Sequence, residues 1–64
     1  MKIYVNDMEI NFEGNIKELL EHLNYNSERI AILVNGEIIK RDQWGTYKLK
    51  EKDYIEIVTL VGGG

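Results

Sequence analysis

The chain has 64 residues, of which 44% are hydrophobic, and a net charge of −3. A chain of this length forms one small domain, and because it contains no cysteine it cannot be held by disulfide bonds. His22 is the only soft metal ligand, so no metal site is expected. An acidic chain without a basic patch is also not expected to bind nucleic acid.

Neither a membrane span nor a secretion signal is predicted. The longest apolar run, Ile30 to Val34, is far too short to cross a bilayer. Asn6 and Asp7 interrupt the N-terminal segment where the apolar part of a signal peptide would lie. These features, together with the absence of cysteine, indicate a cytoplasmic protein.

The first thirteen residues predict a β-hairpin. Ile3 and Val5 alternate with more polar neighbours, and a second alternating segment follows at residues 8–13. Alternation with a period of two is typical of strands that bury one face. Asn6 and Asp7 lie between the two segments, and both tolerate the positive φ angles of a tight turn.

The next segment predicts an amphipathic helix. Four apolar side chains recur at the spacing of one helical face, namely Ile16, Leu19, Leu20 and Leu23. Asn15 is suited to cap the N-terminus, and Glu18 three residues later completes a capping box. Asn24 is suited to end the helix in the left-handed region.

The rest of the chain predicts further strands. The apolar run at residues 30–34 is typical of a strand buried in mid-sheet, and Asn35-Gly36 predicts a tight turn into a short strand. Another short strand is expected near Tyr47 to Leu49, and YIEIVTLV forms the final strand. One helix on a mixed four- to five-stranded sheet is an α+β arrangement, with the topology of the ubiquitin-like β-grasp fold.

The sequence holds no set of residues that predicts catalysis. Ser27 is the only serine, and the carboxylates lie on the solvent-facing sides of the predicted strands and helix. A domain of this size also has little room for a cleft that would perturb their acidity. The chain is therefore not expected to be an enzyme, and no catalytic residue is assigned.

Three glycines, Gly62, Gly63 and Gly64, follow the final strand and separate a domain at residues 1–61 from a flexible tail at 62–64. They do not form a phosphate-binding loop, because no helix follows them. On composition alone, a frayed end is an equally good interpretation. The alternative is a slender arm that threads a narrow channel and presents its terminal carboxylate to a separate enzyme, which would activate it with ATP and magnesium.

Four segments carry a likeness to a known family: VND at the first turn, ILVNGEIIKRDQW, KDYIEIVTLV and the terminal VGGG. In this order and spacing they resemble the ThiS family, the sulfur carrier proteins of thiamine biosynthesis. The resemblance implies that an activating adenylyltransferase (ThiF-like) adenylates Gly64. Sulfur from a sulfur donor protein then gives a thiocarboxylate, which serves thiazole synthase (ThiG-like). It also implies that ATP and magnesium are bound by the activating partner and that this chain binds no cofactor.

Three alternatives stay open at this point. The first is the small subunit of molybdopterin synthase, a longer sulfur carrier that also ends in Gly-Gly. The second is a ubiquitin-like modifier joined to lysine side chains, and the third is a plain β-grasp binding module with incidental glycines. The fold is common to all of them, so the destination of the tail decides between them.

The final strand also predicts a partner-binding face. If its isoleucines point into the core, Val58 and Leu60 lie on the opposite face of the sheet. Tyr4 lies on the same face if the first and last strands are neighbours. Together with Val61, these residues are expected to form an apolar patch at the root of the glycine tail.

Overall fold

The computed structural model describes residues 1–60, and the predicted site residues Val61, Gly62, Gly63 and Gly64 lie outside this range. Short 3₁₀ turns at Ser27–Arg29 and Arg41–Gln43 join some of the regular elements. In chain order these elements are β1 (Lys2–Val5), β2 (Met8–Asn11), α1 (Ile16–His22), β3 (Ile30–Val34), β4 (Glu37–Ile39) and β5 (Tyr54–Thr59).

The five strands form one mixed sheet in the order β2-β1-β5-β3-β4. β1 and β5 are parallel, and the other neighbours are antiparallel. The last strand is therefore the central one, held by β1 on one side and β3 on the other. This arrangement, with α1 on one face, confirms the predicted α+β, β-grasp fold.

Both tight turns form where the sequence predicts them. Asn6 and Asp7 have φ angles of 46° and 71°, and Asn35 and Gly36 have φ angles of 52° and 87°. Two successive positive φ angles give a turn whose twist matches that of the flanking strands. The turns thus fix the β1–β2 and β3–β4 registers through local backbone chemistry.

The helix α1 begins with the predicted capping box. The Oδ1 of Asn15 accepts from the Glu18 backbone N–H at 2.8 Å, and the Oε1 of Glu18 accepts from the Asn15 N–H at 2.9 Å. The chain leaves the helix through Asn24, which has φ 60°. Because α1 has only seven residues, its stability depends on packing as well as on these caps.

The core lies between α1 and one face of the sheet. Ile16, Leu19 and Leu20 of the helix are buried against the inward side chains of β1, β3 and β5. Each fully buried aliphatic side chain contributes roughly 1.5–3 kcal/mol. Trp44 covers one end of this core and is 5% exposed, and its Nε1 donates to the Ile39 carbonyl at 2.9 Å. Its ring is therefore part of the core.

The predicted strand at Tyr47 to Leu49 does not form. Lys48 makes only an isolated bridge to Asn15, with the Ile16 N–H donating to the Tyr47 carbonyl and the Leu49 N–H donating to the Gly14 carbonyl. The ladder cannot continue because α1 begins at Ile16 and its backbone turns into the helix. Leu49 is buried, so its apolar character reflects a core position and not a strand.

Candidate functional site

The end of β5 is the described part of the chain that precedes the three glycines in the sequence. The Leu60 N–H donates to the Arg29 carbonyl at 2.7 Å, which continues the β3–β5 ladder one residue beyond β5. Leu60 is therefore held against the segment that leads into β3.

The two faces of β5 differ as period two predicts. Ile55 and Ile57 point into the core and are 0% and 6% exposed. Val58 and Leu60 lie on the opposite face, which no helix of residues 1–60 covers, and are 44% and 53% exposed. We call this uncovered side of the sheet the open face.

Tyr4 lies on the open face but not beside Val58. In the parallel β1–β5 pair, Tyr4 is in register with Tyr54. Val58 lies four positions further along β5, which is about 13 Å at roughly 3.3 Å per residue. The expectation that Tyr4, Val58 and Leu60 form one contiguous patch is therefore wrong for Tyr4, because Glu56 lies between Tyr54 and Val58.

The apolar surface near Leu60 includes three further residues of the open face. None of them was predicted as a site residue. Ala31 is in register with Val58, and Leu33 is in register with Ile38 of β4. Ile38 is the most exposed large apolar side chain of the described residues, at 72%. We call the following residues the open-face patch: Ala31, Leu33, Ile38, Val58 and Leu60.

The run IAILV contained a sequence signal for two of these residues, Ala31 and Leu33. The run was interpreted as a strand buried on both sides, whereas Ala31 and Leu33 are only half-buried. A single short helix can cover one face of a sheet only, so an apolar run on both sides of β3 leaves apolar side chains exposed on the other face. Exposed apolar clusters of this kind are typical of interaction sites.

The end of the open face away from the patch is polar and aromatic. The Tyr54 hydroxyl donates to Asp7 Oδ1 at 3.0 Å. This hydrogen bond, reinforced by the negative charges of Asp7 and Glu56, raises the pKa of Tyr54 above its ordinary value. The open face therefore changes from apolar near Leu60 to negatively charged near Tyr54.

The helix side carries a separate surface hollow of about 270 Å³. Its floor is formed by Leu20 and Trp44, and the Arg41 guanidinium lies 5.3 Å from the centroid of the Trp44 ring. Within residues 1–60 no three histidine, aspartate or glutamate side chains are grouped as metal ligands. No helix in the same range is long and apolar enough to cross a membrane.

Fold and site together define a small β-grasp protein whose central strand ends at an apolar patch. In the sequence, three glycines follow this strand at residues 62–64. The ThiS family model matches residues 1–64, and the chain belongs to that family. Its structure is similar to the crystal structure of the thiamine biosynthesis protein ThiS from Geobacter metallireducens, with a TM-score of 0.87, 28% identity and coverage of 100% of both chains.

Three curated relatives are similar to this chain. It is 30% identical to the sulfur carrier protein ThiS of Escherichia coli (strain K12) over 66 residues, covering 100% of both chains. It is 35% identical over 66 residues to a thiazole synthase of Magnetococcus marinus, covering 100% of this chain and 20% of that protein. It is 41% identical over 46 residues to the uncharacterized protein ycf40 of Porphyra purpurea, covering 72% of this chain and 65% of that protein. The chain thus spans slightly less than two thirds of the length of that relative.

Proposed function

We propose that this chain is a sulfur carrier whose Gly64 carboxylate becomes a thiocarboxylate and supplies sulfur for thiazole formation. A carboxylate oxygen of Gly64 attacks the α-phosphorus of ATP on the activating adenylyltransferase, and pyrophosphate leaves. Sulfur at the sulfide level, supplied as hydrosulfide by the sulfur donor protein, then attacks the acyl carbon. AMP leaves, the sulfur loses its proton, and the thiocarboxylate is formed. ATP and magnesium are held by the activating partner, so this chain is the substrate and not the enzyme.

Membership of the ThiS family over residues 1–64 is the observation that carries this proposal. The range includes Gly62, Gly63 and Gly64, which the chemistry requires as a narrow arm with a reactive end. In the sequence the arm is separated by one residue, Val61, from Leu60, which belongs to the open-face patch. A patch at the root of the arm is suited to dock on the activating enzyme and direct the arm into its ATP site.

Thiazole synthase is the proposed sulfur acceptor. The support is the alignment of this whole chain with a fifth of a longer Magnetococcus marinus protein named thiazole synthase. A carrier-like segment within a thiazole synthase chain favours that enzyme over the large subunit of molybdopterin synthase as the partner. It also favours a carrier over a modifier of lysine side chains.

The decisive experiment tests activation at the C-terminus. The protein is incubated with ATP, magnesium, the activating adenylyltransferase of its host and a sulfide source, and its intact mass is measured. We expect a mass change that corresponds to one sulfur replacing one oxygen. A matched variant with one alanine appended after Gly64 should fold normally and stay unmodified, because its glycine carboxylate is blocked. Equal modification of the extended variant would disprove the proposal.

A second measurement identifies the acceptor. The thiocarboxylate form is offered separately to thiazole synthase and to the large subunit of molybdopterin synthase, and loss of its sulfur is followed by mass. Loss with thiazole synthase alone is expected. Loss only with the molybdopterin enzyme would reassign the pathway, and a ladder of conjugates in the host would indicate a protein modifier.

A third variant tests the arm itself. Gly63→Ala adds one methyl group within the segment that threads the partner channel. Activation should slow, while the unfolding midpoint should stay that of the parent protein because the residue follows the domain. Unchanged activation would contradict the narrow-channel interpretation.

A further inference from the structure

Glu56 is the one acidic side chain that borders the open-face patch. It lies on β5 between Tyr54 and Val58, and its register partner on β3 is Leu33. The residue is half-buried by these neighbours. A carboxylate therefore lies beside apolar side chains on the surface that the proposed function assigns to docking.

No lysine or arginine of residues 1–60 lies within ion-pair distance of this carboxylate. Within the five strands Lys2 is the one cation on the open face, and its Nζ lies 3.8 Å from Glu9 Oε2. Arg29, just before β3, is paired with Leu60 through the backbone and forms no ion pair with Glu56. Lys2 is two positions before Tyr4, the register partner of Tyr54, and Glu56 is two positions beyond Tyr54. The two charges are thus about four positions, or roughly 13 Å, apart along the strands.

A protein that covers the open-face patch also removes water from the Glu56 carboxylate. Removing an ionised carboxylate from water is strongly unfavourable unless a charge or hydrogen-bond donor of opposite sign replaces the water. A partner without such a group would be rejected, whereas a partner that has one would gain a directional contact beside the apolar centre.

Resting on the proposed function, we infer that the activating adenylyltransferase presents an arginine or lysine to Glu56, and that this pair selects the partner for the open-face patch. The open-face patch contributes apolar contact that has little directional preference. The charge pair fixes the position of the partner on this face. The local charge supports a cationic partner, because Tyr54 next to Glu56 is hydrogen-bonded to a second carboxylate, Asp7.

The test compares binding of Glu56→Leu with that of Glu21→Leu to the activating adenylyltransferase. Both variants lose one negative charge and gain one leucine, but Glu21 is exposed on α1, on the other side of the sheet. We expect Glu56→Leu to raise the dissociation constant at least about ten-fold, although it enlarges the apolar surface, because it leaves the partner cation unpaired. Glu21→Leu should change it by less than about two-fold.

Salt dependence gives an independent readout. Added salt should weaken binding of the parent protein more than binding of Glu56→Leu, because the charge pair is already absent from the variant. Glu56→Gln, which keeps the size of the side chain, should change affinity in the same direction as Glu56→Leu. This variant also serves if the leucine variant does not fold.

Binding of Glu56→Leu that is not weakened would refute the inference. If Glu56→Leu binds as tightly as the parent protein or more tightly, no partner cation faces Glu56 and the inference is wrong. In that case adenylation of the parent protein would still support the proposed function. A parent protein that the enzyme neither binds nor adenylates would instead refute the proposed function, and the inference with it.

Discussion

We expect Asn6→Gly to lower the free energy of unfolding by about 2–3 kcal/mol. β1 ends at Val5, so the backbone groups of Ile57 that face β1 have no strand partner. The Asn6 side chain takes that place. Its Oδ1 accepts from the Ile57 N–H at 2.8 Å, and its Nδ2 donates to the Ile57 carbonyl at 3.2 Å. Two hydrogen bonds at about 1 kcal/mol each, and two backbone groups left without good partners, give the expected loss.

Glycine is the informative replacement because Asn6 has φ 46°, an angle that glycine adopts without strain. The change therefore removes the carboxamide and leaves the turn allowed. Asn24→Gly is the matched control. Asn24 has φ 60°, and its side chain makes no hydrogen bond within residues 1–60, so its replacement should change stability by no more than about 0.5 kcal/mol.

Urea unfolding followed by Trp44 fluorescence measures both variants. Trp44 is the only tryptophan and is 5% exposed, so its emission reports on loss of the core. A domain of this length has a total stability of about 3–10 kcal/mol, and the expected loss would lower the melting temperature by roughly 8–20 °C. The slope of the transition should not change. Equal midpoints for the two glycine variants would refute the assigned role of the Asn6 side chain.

Three further predictions concern other parts of the fold. Gly14→Ala should destabilise the protein by about 1–3 kcal/mol, because Gly14 has φ 150° and an added Cβ would lie 2.7 Å from the carboxylate of the capping box. Gly45→Ala, with open space around it, is the control, and equal melting temperatures would contradict this account. Ile57→Ala should cost about 2–5 kcal/mol through a core cavity, whereas Leu60→Ala should cost less than about 1 kcal/mol but weaken binding of the activating enzyme several-fold. An early melting transition of Leu60→Ala would show that the faces of β5 are misassigned. The raised pKa of Tyr54 means that the unfolded chain loses this proton first, so stability should fall as pH rises above the ordinary value of 10.0. Unfolding midpoints that stay constant across this pH would disprove the effect.

The features that the sequence predicts correctly are those with local causes. The side chains of Asn15 and Glu18 each accept a hydrogen bond from the backbone N–H of the other, three residues away. The turn at Asn35 needs only residues that tolerate positive φ. The faces of β5 follow from the pleat, because Ile57 and Val58 must point in opposite directions. These features depend on atoms close together in the chain.

The errors concern contacts between distant segments. Period two assigns Tyr4 to the open face, but only the β1–β5 register shows that its neighbour is Tyr54 and not Val58. The pattern around Lys48 suits a strand, but its partner segment becomes a helix at Ile16 and ends the pairing. Neither the register nor the end of a ladder is encoded within one segment, so both required the structure.

Docking of a partner is the role that we propose for the open-face patch. Val58 and Ile38 lie on the side of the sheet away from the core, so they are not needed to cover it. A polar residue at either position would keep the strand and reduce the risk of edge or face association. Exposed apolar side chains are unfavourable in water, and this cost is removed when a partner covers the face. Such a partner would contact the end of β5, from which the sequence continues to Gly64. We expect a partner bound to this face to have the segment that follows Leu60 within reach, as activation of the proposed Gly64 carboxylate requires.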